Sequence, residues 1–140
     1  MKLQLVTLSG IKLNKEVYSV QIPTVEGKIG VYNDHEPLIT VTSAGVLKVQ
    51  FNKDDKDADC KYYAVNGGAV QIMDNKVKIL VDDAETSDEI AEQDAEAALK
   101  RAQELRANAA NTVEITEAEA MINHAAVRLK VAGIRRHNKN

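Results

Sequence analysis

The chain has 140 residues, 44% hydrophobic and 28% charged, which suits one or two small domains with a modest core. A net charge of -3 excludes a global pull towards nucleic acid or an anionic membrane, and no run of about 18 apolar residues is present to cross a bilayer. Cys60 is the single cysteine, which excludes an intrachain disulfide and points to a reducing interior, and Met1 leads into a strand-like pattern rather than a signal peptide, so the chain is expected to stay where it is made.

Apolar residues alternate from the start: Leu3 and Leu5, then Val17, Tyr18, Val20 and Ile22. The stretch from Gln21 to Val49 is dense in turn formers. Gly27, Gly30 and Gly45 stand where apolar runs are expected to change direction, while Pro23 and Pro37 suit strand ends or sheet edges. Alternation returns at Val46, Val49 and Phe51, at Tyr63 and Val65, at Val70 and Ile72, and at Val77, Ile79 and Val81. With turn signals every 8 to 12 residues or so, the pattern predicts a sandwich or barrel. Asp74-Asn75 reads as a two-residue hairpin turn and Asn66-Gly67-Gly68 as a tight turn or bulge beside another strand.

Two features of this half invite chemistry and are better explained without it. Asp54, Asp55, Asp57 and Asp59 could supply oxygen ligands to calcium, but the central Gly, closing Glu and flanking helices of an EF-hand are missing, so a solvated hairpin tip from Asn52 to Asp59 is expected and no metal. His35 has no Cys nearby, and His124 and His137 belong to the other half, so a surface or loop-packing role is favoured over catalysis.

The composition changes near Asp82. All five aromatics lie in the first 63 residues, and from Asp82 onward Gly133 is the single glycine. Thr86-x-x-Glu89 reads as a capping box opening a helix, followed by a narrow stripe of Ala91, Ala95, Ala98, Ala102, Leu105 and Ala109. The pattern breaks at Asn111-Thr112, and a second box, Thr116-x-x-Glu119, is expected to open a helix carrying Met121, Ile122, Ala125, Leu129 and Ala132. The expectation is two helices of roughly 20 residues, about 30 Å each, in an antiparallel hairpin or one interrupted rod. An alanine seam allows close approach but weak adhesion, because a buried leucine contributes about 1.5 to 3 kcal/mol and an alanine a single methyl. Acids from Asp82 to Glu96 precede any base, and Arg128, Lys130, Arg135, Arg136 and Lys139 close the chain; helix dipoles explain part of this, and docking of the basic end on an acidic partner is the functional alternative.

Glu26-Gly27, Ile29-Gly30-Val31-Tyr32, His35-Glu36-Pro37-Leu38, Gly45-Val46 and the later Val65-Asn66-Gly67-Gly68 together resemble the epsilon subunit of bacterial and chloroplast F-type ATP synthases, with Asn33-Asp34 where that family often has Pro-Gly. The resemblance spans essentially the whole chain and implies an α+β fold: a β-sandwich over 1–84, binding the stalk and c-ring, and a regulatory two-helix hairpin over 85–140. It implies a non-catalytic central-stalk subunit that couples gamma to the c-ring of a proton-translocating synthase and inhibits ATP hydrolysis through its helices. By the same resemblance Glu26, Gly27, Lys28 and His35, on a loop facing the ring, would form the c-ring and gamma interface. Arg128, Arg135 and Arg136 would meet a beta subunit when the hairpin extends, and alpha and beta would be reached through the helices. Association would be peripheral, on the cytoplasmic face of a bacterial inner membrane or, alternatively, a plastid thylakoid.

Many members of that family carry Asp-x-x-Arg-Ala at the start of the first C-terminal helix, where this chain has Ala91-Glu92-Gln93-Asp94-Ala95. An acid in place of the phosphate-binding arginine implies poor ATP binding or none, so no cofactor is expected. Two other classes stand beside this one: an independent β-sandwich adaptor with a helical interaction tail, and a small enzyme using Asp34 and His35. The enzyme is the weaker, since no nucleophile elbow, phosphate-binding glycine loop or paired metal-ligand motif occurs.

Overall fold

The computed structural model describes the backbone of residues 1–138 and the side chains of residues 1–134. Ten strands precede two helices: β1 Lys2–Thr7, β2 Gly10–Glu16, β3 Ser19–Thr24, β4 Gly27–Val31, β5 Leu38–Thr42, β6 Gly45–Gln50, β7 Lys61–Val65, β8 Gly68–Met73, β9 Lys76–Val81, β10 Ala84–Thr86, α1 Glu92–Ala107 and α2 Thr112–Asn138. One layer runs β2-β1-β9-β8-β5 and the other β4-β3-β6-β7-β10, joined where Thr24 of β3 pairs with Thr42 of β5. The expected sandwich followed by two helices is therefore what the chain forms. Its core is filled by the inward set of both layers, including Leu3, Leu5, Val20, Ile22, Leu47, Val49, Tyr63, Val70, Ile72, Val77 and Ile79.

The turn chemistry explains the register. Asp74 and Asn75 both take positive φ, at 53° and 61°, as a two-residue turn whose twist matches the flanking strands requires. Asn52 to Asp59 forms the tip between β6 and β7, with Asp55 and Asp59 accepting from the backbone N–H of Asn52 and Lys56 at 2.9 and 3.1 Å. Within Gln21–Val49, Gly27 turns at φ 113°, but Gly30 does not turn: it lies inside β4 opposite Gln21. That stretch contains two strands, β4 and β5, and β2 adds a third that the alternation did not mark.

The helices start elsewhere than the capping boxes predict. Thr86 donates its backbone N–H and hydroxyl to Glu89 Oε1 at 3.1 and 3.0 Å, but this pair closes a turn after β10, and α1 begins at Glu92 behind an uncapped Ala91. The cap of α2 is Asn111, whose Oδ1 accepts from Glu114 N–H at 2.9 Å while Glu114 reaches back to Ala110 N–H at 2.7 Å. Thr116 sits a turn inside, donating to the Thr112 carbonyl. So the helices have 16 and 27 residues rather than two equal lengths, roughly 24 and 40 Å. They pair antiparallel, with Arg106 Nη2 3.1 Å from Glu119 near the turn. The alanine stripe holds at the buried Ala95 and Ala102, and at Ala118, Ala125 and Ala132 opposite; Leu105 and Met121 are exposed, and Ala91 precedes the helix.

A Cβ on Gly68 would stand 1.9 Å from the Leu80 carbonyl oxygen of β9, a backbone atom that cannot swing aside. Gly68→Ala is expected to destabilise the sandwich by about 3 kcal/mol, read as a lower urea midpoint at unchanged slope. A midpoint equal to the parent's would show that the two strands are not held so closely.

Candidate functional site

The sandwich has two outer faces, and the chain treats them differently. On the β6-β7-β10 face the outward side chains Val46, Tyr62 and Ala64 meet Ile90, Ala95, Val127, Leu129, Val131 and Ala132 of the helical region. The buried members of this satellite cluster are Ala64, Ile90, Ala95, Val131 and Ala132, so Ile90 and Val131 are its largest anchors. Three polar ties surround it. Arg128 Nε lies 3.0 Å from Glu85 Oε1 and Nη2 donates to Oε2 at 3.2 Å, with both side chains about four-fifths covered; the Nε–H does not point along its contact, so this is an ion pair with one hydrogen bond rather than a fork. His124 Nδ1 lies 2.8 Å from Asn66 Oδ1, an atom that only accepts, so the ring donates there. Lys12, in the bulge between β1 and β2, reaches Glu89 Oε2 at 2.5 Å and fastens the β10–α1 linker to the far edge strand.

That last tie has electrostatic consequences. The hydrogen bond from Lys12 holds the Glu89 carboxyl below its ordinary 4.5, and the Lys12 ammonium is raised by the same bond. Beside them Tyr63 is buried with its hydroxyl unpartnered among the described residues, and desolvation pushes its pKa to about 12.

The opposite face, β5-β8-β9-β1-β2, has no element laid on it among the described residues. Ladder partners share a face, so the register reads it row by row. The outward row nearest the β1–β2 turn is apolar throughout: Val41, Ala69, Leu80, Val6 and Ile11. Val41, Leu80 and Ile11 are 52, 45 and 59% exposed, and Ile39, Val25 and Leu8 extend the patch at 75, 65 and 85%. The next rows are mostly polar: Ile39, Gln71, Lys78, Gln4 and Asn14, then Met73, Lys76, Lys2 and Glu16. A trough of about 320 Å³ lies among these polar side chains. An aliphatic strip crossing five strands is the kind of exposed patch that marks an interaction surface.

The residues expected at a ring-facing loop fall at two places, because Gly27–Val31 is strand β4 and not part of one loop. Glu26, Gly27 and Lys28 form the β3–β4 tip, which adjoins the apolar row through Val25 N–H donating to the Val41 carbonyl at 3.1 Å. His35 is half-buried beyond the other end of β4, its Nδ1 2.7 Å from its neighbour's carbonyl at Glu36. Asp34, at φ 63°, donates its N–H to Asn75 Oδ1 at 2.9 Å, which joins this loop to the trough end. The two groups thus bracket the bare face. Arg128 is engaged by Glu85, and the side chains of Arg135 and Arg136 lie outside the described residues.

Residues 1–87 match the family model described as ATP synthase, Delta/Epsilon chain, beta-sandwich domain. The chain belongs to the ATP synthase epsilon family. It is 37% identical to the ATP synthase epsilon chain of Herpetosiphon aurantiacus over 99% of this chain and 98% of that one. It is 36% identical to the chloroplastic epsilon chain of Oltmannsiellopsis viridis over 88% and 90%. The same fold recurs in a chain of the Euglena gracilis mitochondrial ATP synthase OSCP/F1/c-ring structure, at TM-score 0.78 and 23% identity, covering 93% of this chain and 79% of that one. It recurs again in the central stalk and c-ring structure of the Tetrahymena thermophila enzyme, at TM-score 0.63 and 19% identity, covering 94% and 96%. Epsilon chains are accessory, non-catalytic subunits of their complex, so the Asp34–His35 enzyme gives way to the family.

The Glu89 tie makes the hold on the linker depend on pH. A carboxyl lowered on folding contributes stability above its unfolded value of 4.5 and loses it as pH falls through the lowered folded value. Glu89→Gln is therefore expected to speed amide exchange in the linker and α1 at pH 7, by no more than about 1 kcal/mol of protection for so exposed a pair, and to make a progressively smaller difference as pH falls below 4.5. Equal exchange at pH 7 would remove the tie from the account.

Proposed function

We propose that this chain is the epsilon subunit at the foot of an ATP synthase central stalk, where the sandwich joins gamma to the c-ring and the helical hairpin restrains ATP hydrolysis. The observation that carries the proposal is the asymmetry of the two faces: one is covered by the chain's own helices and the other exposes an aliphatic row across five strands. A stalk subunit needs such a permanent docking face. The central-stalk and c-ring assemblies in which the fold recurs support this assignment, and an independent adaptor would give no reason for the family's relatives to be epsilon chains. In this reading gamma covers the apolar row, while Glu26, Gly27 and Lys28 at one end and His35 at the other complete the interface with gamma and the ring. The sandwich, 1–84 and its short β10, is the coupling part; the region from 85 onward is the regulatory part.

The brake rests on the covered face. Moving a two-state element from 1:99 to 99:1 takes about 5.5 kcal/mol, within reach of a small alanine-rich contact and a few polar ties. Extension would free Arg128 from Glu85 and offer it, with Arg135 and Arg136, to an acidic segment of a beta subunit. The hinge would be the Ser87–Ala91 linker. No helix among the described residues is long and apolar enough to cross a membrane, and membrane association would come through partners, at the cytoplasmic face of a bacterial inner membrane or at a thylakoid.

Because β10 completes the sheet, the informative truncation ends at Ser87 rather than within the sandwich. In the assembled complex this shortened chain is expected to raise ATP hydrolysis several-fold while proton-coupled synthesis persists. Unchanged hydrolysis would contradict the brake and leave the coupling role standing.

A further inference from the structure

Three lysines stand together on the bare face, next to the apolar row. Lys2 and Lys76 are direct ladder partners across the parallel β1–β9 pair, and Lys78 is the next outward residue of β9, opposite Gln4. All three line the 320 Å³ trough with Gln4, Asn14 and Gln71. Like charges placed directly opposite in a ladder repel and destabilise the pair, so this arrangement costs the free chain some stability. Two acids lie beside the lysines, Glu16 opposite Lys2 and Asp74 at the end of the trough. None of the three lysines makes an ion pair among the described residues. Glu16, the cross-strand partner of Lys2, is engaged by the amino terminus at 3.1 Å, which leaves Asp74 as the one acid lining the trough.

The charge is also confined to one end of the face. Successive outward rows lie about 7 Å apart along a strand, so the basic rows begin immediately beside Val41, Ala69, Leu80, Val6 and Ile11, and a single partner surface lying on the aliphatic strip would overlie the trough as well. We infer that Lys2, Lys76 and Lys78 receive an acidic strip of the same shaft subunit that covers the apolar row, and that this match decides which gamma subunit the chain accepts. The inference rests on the proposed docking of gamma to this face. The aliphatic strip supplies adhesion without selectivity, while the lysines, unpaired until the partner arrives, supply orientation, a faster encounter and discrimination against a partner with basic residues at the same place. Continuity with the aliphatic strip favours a protein surface over anionic lipid headgroups, which would engage the lysines but have no use for a flat apolar row held in fixed register.

The test titrates the full-length chain with the gamma subunit of its own organism at about 50 and 500 mM salt, between which the Debye length falls from above 10 Å to a few ångströms. The variants are the triple charge reversal Lys2→Glu, Lys76→Glu, Lys78→Glu; the triple Lys→Arg; the triple Lys→Gln, used if reversal impairs folding; and Leu80→Asp in the aliphatic row. Thermal unfolding is checked for each. Three exposed pairs together are worth about tenfold, so reversal is expected to weaken binding at least tenfold at low salt and much less at high salt, Lys→Gln by a smaller factor in the same direction, with Lys→Arg near the parent. Leu80→Asp should weaken binding at both salts. If reversal binds as the parent does while Leu80→Asp fails, the charge inference is overturned and the docking face stands. If neither variant alters binding, the docking face itself is wrong. Vesicles containing anionic phospholipid provide the remaining arm: loss of vesicle binding on reversal, with gamma binding unaltered, would assign the trough to lipid and overturn the inference.

Discussion

The register of the β8–β9 hairpin is the constraint on which the rest of the molecule depends. At one end it is set by Asp74 and Asn75, both at positive φ, and at the other by Gly68, whose missing Cβ lets it lie against the Leu80 carbonyl. Between those points Val70, Ile72, Val77, Ile79 and Val81 enter the core, and Ala69, Gln71, Lys76, Lys78 and Leu80 face out. A slip of one residue would exchange the two sets, burying lysines and exposing the valines. Because β5 and β1 pair with the two edges of this hairpin, the same register also lines up Val41, Leu80, Val6 and Ile11 into one strip.

From that constraint follow two faces with different strengths of attachment. The helical hairpin covers its face through alanines and a few polar ties that join residues far apart in sequence, Lys12 with Glu89 and Glu85 with Arg128. Each of these ties is partly exposed, and the largest buried side chains in the cluster they surround are Ile90 and Val131. The bare face is the reverse: an aliphatic row crosses five strands towards one end and three lysines lie towards the other. Under the proposed function, one face would serve a permanent partner while the helices on the other would be the part that moves.

Much of this was legible from residue patterns. Alternation at Val77, Ile79 and Val81, the Asp74-Asn75 turn and the disappearance of aromatics after Tyr63 marked the sandwich and the helical half, because each reflects a local rule. Helix starts were less so. Asn111-x-x-Glu114 has the same logic as the two Thr-x-x-Glu patterns that were favoured, and only the fold decides which of several adequate caps is used. The aliphatic strip is harder to read because alternation ordinarily separates core from solvent, whereas Ile39, Val41 and Leu80 are apolar residues of the outward set, a sign that this face has a use. Burial of Ala118 against exposure of Met121 and Leu105 was likewise out of reach, since periodicity names a face without saying what covers it. The Glu26–His35 loop came from resemblance, and β4 divides it because Gly30 can pair with Gln21 as readily as turn.

The central claim is that the bare face, and not the covered one, is where the stalk attaches. Hydroxyl-radical footprinting of the free chain and of the purified synthase tests it side chain by side chain. The account predicts that Leu80, Ile11 and Val41 are oxidised readily in the free chain and protected in the complex. Leu80, Ile11 and Val41 reacting equally in both would contradict it.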